Sequence, residues 1–414
     1  MIHSEGTTDT TGFRVGDRHV VRIHDVAFGG EGVGRIGDFV VFVPFVIEGE
    51  EVEVELTEVK RQFARGRLVE VRAAASARVQ PRCRYFGQCG GCQYQHIAYE
   101  EQLRLKRKQV QDLLLRVGRF GGTEVLPVIP CPEPYGYRNK LMVRTQWNKV
   151  ERRLVMGFLR HDSRLVVDVE ECSIAEPVLN AELRKARLSP PPRGGLKVLL
   201  RTIPTGWEVP ADSFFQTNRF MLSALVETVK KFIHDSEVEY LADIYCGVGF
   251  FAIEVARALK GFVGIECDQR AIKAARKNAE AHGVANGRFI VGLAEERLPE
   301  VLSGLDPART ALILDPPRVG CDVRVIHQIR AVHPVQVLYV SCNPATMARD
   351  LNTLCSEGLY KVMRVQPLDM FPQTQHMECV ADVRLQAAGG GAVIGRDAAA
   401  ICKGSDQTGL AKTP

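Results

Sequence analysis

Residues 240–266 read YLADIYCGVGFFAIEVARALKGFVGIE, and this stretch decides the fold of the C-terminal half. Tyr240 to Tyr245 is an apolar strand candidate. The glycines that follow, Gly247 and Gly249, let the chain turn tightly and let a ligand approach the backbone. Phe250 to Leu259 is predicted as a helix and Gly261 to Ile265 as a second strand. Glu266 closes that strand, where a carboxylate can accept the two hydroxyls of a ribose. The third glycine of the dinucleotide fingerprint is missing, which favours S-adenosylmethionine over a dinucleotide.

Outward from this unit the alternation continues. A helix is predicted from Asp268 to Ala281, with Gly283 at its C-terminal cap, and strands at Arg288 to Val291, Ala311 to Leu314 and Val335 to Val340. This rhythm implies a doubly wound, mostly parallel sheet whose ligands gather at the carboxyl ends of the strands. Two motifs fall at those ends. Asp315-Pro-Pro-Arg318 follows one strand; the prolines stop the strand, and Asp315 is either incidental to that stop or a site carboxylate. Ser341-Cys342-Asn343-Pro344 follows the next. Most cysteines are small buried hydrophobes, and Cys246, Cys267 and Cys355 are read so. The edge position of Cys342 and its Asn-Pro turn argue instead for exposure to the pocket. A thiol with a pKa of ~8.5 needs its thiolate stabilised before it can act as a nucleophile.

Towards the N-terminus, residues 13–72 alternate short β-branched runs with glycine turns, as in Gly29-Gly-Glu-Gly-Val-Gly34 and Phe39-Val-Val-Phe-Val43. Strands this short and this closely spaced imply a small antiparallel barrel. Acids outnumber bases there, so charge is no argument for a nucleic-acid role of the barrel. Next come Cys83-x5-Cys89-x2-Cys92 and a distant Cys172, set among Gly87, Gly90 and Gly91. Four thiols so disposed suit a zinc ion or a [4Fe–4S] cluster. Ile97 to Val117 has helical periodicity at Val110, Leu113, Leu114 and Val117. Its basic run Arg104, Lys106, Arg107, Lys108 is read as a solvated face in preference to a phosphate contact. Leu141 to Val169 is strand-rich, and Pro190-Pro-Pro192 marks a surface loop.

With 414 residues, 45% hydrophobic and 25% charged, the chain is long enough for several domains with an extensive core. Met1 to Thr11 carries no apolar leader and no run is long enough to span a bilayer, so a cytoplasmic protein without a membrane partner is expected. The net charge of +5 fits a nucleic-acid partner without requiring one. In a reducing compartment the 12 cysteines point to metal binding, catalysis or packing and not to disulfides.

Taken together, these motifs resemble the RNA 5-methyluridine methyltransferase family over residues 13–385, most closely the 23S ribosomal RNA branch with a TRAM domain and an iron–sulfur cluster. The resemblance implies a disordered N-terminus (1–12), an OB-like TRAM β-barrel (13–73) and a central α+β iron–sulfur domain (74–210). A C-terminal α/β Rossmann-like methyltransferase domain (211–386) completes it, and the Ala/Gly-rich, polar stretch 387–414 is expected to be a disordered tail. The helix at 97–118 is expected to pack on the catalytic domain. Cys83, Cys89, Cys92 and Cys172 match the family's cluster ligands. Its cofactor residues fall on Gln216, in Ser213-Phe-Phe-Gln-Thr-Asn218, and on Tyr245, Glu266 and Asp315. Its nucleophile matches Cys342 and its general base matches Glu378, in His376-Met-Glu-Cys-Val380.

The implied enzyme is an S-adenosylmethionine-dependent RNA (uracil-C5)-methyltransferase, monomeric and acting on 23S ribosomal RNA. The cysteine adds to carbon 6, carbon 5 takes the methyl group, and the base removes the carbon 5 proton. Many relatives carry a small polar residue where this chain has Phe250, so a cofactor hydrogen bond from that side chain is not expected. A radical S-adenosylmethionine enzyme would need Cys-x3-Cys-x2-Cys, which is absent. A non-enzymatic RNA-binding protein would not need Gln216, Glu266, Asp315, Cys342 and Glu378 together.

Overall fold

The computed structural model describes residues 12–191 and 193–386. The N-terminal and C-terminal stretches expected to be disordered therefore lie outside the described residues, apart from Gly12.

Five strands, β1 (Arg18–Val26), β2 (Glu31–Ile36), β3 (Phe39–Pro44), β4 (Glu51–Val59) and β5 (Phe63–Ala73), close into a barrel in the order β1-β2-β3-β5-β4. Period-two alternation turns Val21, Ile23, Val41, Val43, Val52, Val54 and Leu56 inward to form its core. Gly34 is required by close packing, since a Cβ there would stand 2.1 Å from the Val21 side chain. Most pairings are antiparallel, as expected, but β3 and β5 pair in parallel to complete the barrel.

Helix α1 (Tyr99–Arg116) and the short strand β6 (Glu124–Val125) follow the cysteine loop. Then β7 (Lys140–Asn148), β8 (Arg153–Leu159), β9 (Val166–Asp168), helix α2 (Pro177–Leu188) and β10 (Lys197–Arg201) build an antiparallel sheet in the order β10-β7-β8-β9. Leu179 and Leu183 of α2 pack on Leu141, Val143 and Met156 of this sheet.

The remainder alternates α3 (Leu222–His234), β11 (Tyr240–Ile244), α4 (Phe250–Val255), β12 (Gly261–Glu266), α5 (Gln269–Ala281), β13 (Gly287–Val291) and α6 (Ala294–Ser303). It continues with β14 (Thr310–Leu314), α7 (Val323–Val332), β15 (Gln336–Ser341), α8 (Pro344–Leu354), β16 (Tyr360–Leu368) and β17 (Glu378–Leu385). The sheet runs β13-β12-β11-β14-β15-β17-β16-β6, with β17 antiparallel to both neighbours and β6 joining at the edge. Apolar helix faces cover it on both sides, forming two large clusters.

Two expectations are corrected. The predicted helix from Phe250 to Leu259 ends as α-helix at Val255. One more turn, Ala256–Ala258, is 3₁₀, and the Asn286 amide donates to the carbonyls of Ala256 and Leu259. The basic run on α1 is no solvated face. Lys106 is fully buried and pairs with Asp369 at 2.6 Å; Lys108 meets Asp25 of the barrel at 2.8 Å. Arg107 donates to the Val125 carbonyl and Arg104 pairs with Glu48 and Glu101. With α1 also packed along α8, its cations fasten the barrel and the large sheet to one helix.

Candidate active site

The turn after β11 is wound tightly. Tyr245 has φ +69°, Gly247 +53° and Gly249 +84°. A left-handed tyrosine costs on the order of 1–3 kcal/mol and persists only where its surroundings impose it. Glu266, at the end of β12, accepts the Gly247 N–H at 3.1 Å and the Asp268 N–H at 2.9 Å, which fixes the turn against the neighbouring strand. Beneath it Asp243 is fully buried. One of its oxygens accepts the Ala252 N–H at 3.0 Å and the other has no partner. Burial, and then the charge of Glu266, raises its pKa to about 7.

Gln216 reaches this region from the segment before α3. Asn139, at the entry to β7, donates to the Gln216 carbonyl at 2.9 Å, and Arg201 of β10 donates to the Ser213 carbonyl at 2.9 Å. The Gln216 side chain is buried while its Oε1 has no hydrogen-bond partner. A buried acceptor left unsatisfied is costly, so this atom and the glycine turn together fit a polar cofactor. Phe250 takes no part: its ring packs 5.4 Å from Trp207 and 5.5 Å from Phe215, inside the core.

The other candidates converge at one end of β14, β15 and β17. Asp315 follows the last residue of β14 and Cys342 the last of β15. The final registered pair between β15 and β17 is Ser341 with Cys379, so Cys342 and Glu378 are the next positions across the same ladder. Asn343 caps α8, accepting the Ala345 N–H, and its Nδ2 donates to the Arg318 carbonyl at 3.0 Å; Thr346 Oγ1 donates to the same carbonyl at 3.2 Å. Helix α8 therefore holds the Asp315–Arg318 loop against the cysteine that precedes it.

Three acids share this apolar corner, and all are pushed towards their neutral forms. Burial, then the Glu378 charge, raises Cys342 to about 11; the Arg318 guanidinium opposes this. Burial and Asp243 raise Asp315 to about 8. Glu378, fully buried, is held well above the carboxylate range by burial and by Asp315, again against Arg318. Buried acids that face one another with displaced pKa values mark a candidate site for proton transfer. Arg318 was signalled in the sequence only by its place in Asp-Pro-Pro-Arg, which gives it no role by itself. Asn139 gave no signal, because its contact with Gln216 exists only in three dimensions.

Cys83, Cys89 and Cys92, in the loop between β5 and α1, and Cys172, between β9 and α2, line one cavity of about 300 Å³. Gln95 accepts the Cys83 N–H and Asn180 the Cys172 N–H, both at 2.9 Å. Arg318 and His376 line the same cavity, so it adjoins the catalytic corner. Among the described residues, no group of three or more His, Cys, Asp or Glu side chains is arranged to hold a single metal ion.

Comparison with known proteins places the chain. Residues 196–386 match the tRNA (Uracil-5-)-methyltransferase family model and residues 12–69 the TRAM domain. An uncharacterized RNA methyltransferase of Thermosynechococcus vestitus is 34% identical over 87% of this chain and 96% of its own length. The chain belongs to the RNA uracil-5-methyltransferase family. A second family relative, from Halalkalibacterium halodurans, is 31% identical over 88% of this chain and 96% of its own length. The crystal structure of Pyrococcus abyssi tRNA (uracil-54, C5)-methyltransferase with S-adenosyl-L-homocysteine superposes with a TM-score of 0.65 at 25% identity. The match covers 88% of this chain and 99% of that one. As a member of this family the protein is an S-adenosylmethionine-dependent RNA methyltransferase. No helix among the described residues is long and apolar enough to cross a membrane.

Proposed function

We propose that this protein methylates carbon 5 of a uridine in 23S ribosomal RNA, as a cytoplasmic monomer, through a covalent bond between Cys342 and carbon 6. The cross-strand placement of Cys342 and Glu378, with Asp315 and Arg318 alongside, carries this reading. S-adenosylmethionine supplies an electrophilic methyl group, and Gln216, Tyr245, Glu266 and Asp315 are the residues that hold it. Cys342 releases its proton to solvent, the Arg318 guanidinium favouring the thiolate, and its sulfur bonds to carbon 6. The electron pair displaced onto carbon 5 then takes the methyl group, leaving S-adenosylhomocysteine. Glu378 accepts the carbon 5 proton, the carbon 5–carbon 6 double bond re-forms and the thiolate is expelled. The target uridine must be unpaired or flipped out to reach this corner.

Cys83, Cys89, Cys92 and Cys172 line one cavity, and four thiols so gathered suit a [4Fe–4S] cluster, which the family resemblance favours over zinc. Cys83, Cys89, Cys92 and Cys172 would hold it as a structural element, because the methyl transfer moves no electron. A transfer RNA uridine is the second reading, favoured by the named substrate of the Pyrococcus abyssi protein. Mass mapping of 5-methyluridine in both RNA classes from a deletion strain decides between them. Loss from neither would overturn both.

A further inference from the structure

The segment between β10 and α3 carries Gln216, and helix α5 holds that segment at two places. In the last turn of α5, Asn278 is fully buried, and its Oδ1 accepts the Glu208 N–H at 2.7 Å. Its Nδ2 donates to the Glu208 carbonyl at 3.0 Å and to the Val248 carbonyl at 3.1 Å. At the other end of the helix, Ser213 Oγ donates at 3.2 Å to Asp268, the N-cap of α5, and Arg270 pairs with Asp212. Asp268 in turn donates its N–H to Glu266.

Val248 lies in the tight turn between Gly247 and Gly249, and Glu208 in the stretch that leads to Gln216. Two carbonyls and one N–H therefore converge on one buried position, whose occupant must donate twice and accept once. A primary amide does this. An aspartate of the same shape, acceptor-only when ionised, would face two carbonyls with nothing to donate. Apolar packing reinforces the tether: Val209 is buried in the core, and Trp207 packs 5.4 Å from Phe250 and 5.5 Å from Phe215. The Lys277–Glu208 ion pair on the same segment is about half exposed on both sides, and surface pairs of that kind contribute little. The buried amide, and not the surface charge, fastens the segment.

The candidate cofactor residues sit on separate stretches of chain, Gln216 on one and the glycine turn with Glu266 on the other, and Asn278 is bonded to both stretches. We propose that Asn278 is a positioning residue for the methyl donor. It holds the Gln216 segment against the glycine turn before the donor arrives, so that binding does not have to order that segment. Its three bonds all go to backbone groups of the protein, and it acts through Val248 and Glu208 without being a ligand itself. Once the amide is lost, the binding-competent arrangement becomes a minor population, and the apparent affinity falls by that fraction. This role rests on Gln216 and Glu266 holding the donor and is independent of the chemistry at Cys342.

The test uses the full chain carrying Trp147→Phe, which leaves Trp207 as the only tryptophan of the two, titrated with S-adenosylhomocysteine. Asn278→Asp should weaken binding about tenfold. Its Trp207 emission should shift to the red without S-adenosylhomocysteine, as the segment loosens, and return on saturation. The KM for S-adenosylmethionine should rise in step, while kcat at saturation stays within about twofold. Asn278→Ala, which adds no buried charge, should show the same pattern and keeps the test open if the aspartate variant does not fold. Unchanged affinity and emission in both variants would overturn the proposal. So would a fall in kcat at saturation with an emission that does not return, which would mark a general structural role. Gln216→Ala separates the premise from the inference. If that variant binds normally, the premise fails and the proposal with it; if it binds weakly while both Asn278 variants bind normally, only the proposal fails.

Discussion

Cys342 and Glu378 stand across one antiparallel ladder, one step beyond the Ser341–Cys379 pair that ends it. The proposed nucleophile and base are thereby held by backbone register and not by flexible loops. Their variants should fail at different steps. Cys342→Ala should bind cofactor and RNA yet form no adduct, because nothing then raises electron density at carbon 5. Glu378→Gln should add to the uridine and methylate it, then stall. A denaturation-resistant protein–RNA species carrying the transferred methyl should accumulate in that variant and vanish when Cys342 is also removed. Normal turnover by Glu378→Gln, or substantial activity in Cys342→Ala, would falsify the mechanism.

Asp315 makes a stability prediction with a definite sign. Its folded pKa of about 8 exceeds the ~3.9 of an unfolded aspartate, so between those values the folded chain binds more protons than the unfolded one. Stability contributed by this group is present at low pH and is lost as pH rises through that window. Asp315→Asn should therefore raise the melting temperature of the cofactor-free protein, by a margin that grows from pH 5 to about pH 8 and then levels off. A gain independent of pH would show that burial does not govern this carboxyl. Cofactor affinity should fall in the same variant, which isothermal titration would measure.

How much was legible beforehand follows from how local each signal is. The turn from Asp243 to Gly249, Glu266 at the next strand end, and the ends occupied by Asp315 and Cys342 are all set by strand–turn–helix patterns within a few residues. Glu378 lies at the start of a strand whose antiparallel insertion no local pattern reveals; only the family resemblance marked it. Lys106 was misread for a related reason. Within its helix it belongs to a run of four cations, and its partner Asp369 is 263 residues away. The early end of α4 likewise depends on Asn286, which lies beyond the following strand and helix.

That buried ion pair supports a prediction about assembly. Lys106 and Asp369 are both fully buried and join α1 to the segment that leads into Glu378. Removing one partner leaves a buried charge uncompensated, so Lys106→Met should cost about 3–5 kcal/mol. Replacing both with apolar residues of similar volume, in Lys106→Met/Asp369→Leu, should restore most of the loss. Denaturant unfolding of the four members of the cycle measures this. Additive losses in the double variant would mean that the two side chains do not act as a pair.

The thiol cavity gives the last prediction. If Cys83, Cys89, Cys92 and Cys172 hold [4Fe–4S], anaerobically purified protein should contain about four irons and absorb broadly near ~400 nm, as thiolate-ligated clusters do. Cys172→Ser should lose most of that iron, because it removes the only ligand contributed from beyond α1. The cavity also reaches Arg318 and His376, so the damage should extend to the loop that carries Asp315. RNA binding and thermal stability should decline together, whereas any residual methyl transfer should need no reductant. Stoichiometric zinc without iron in the wild-type protein would refute the cluster. Iron retained in full by Cys172→Ser would remove Cys172 from the ligand set.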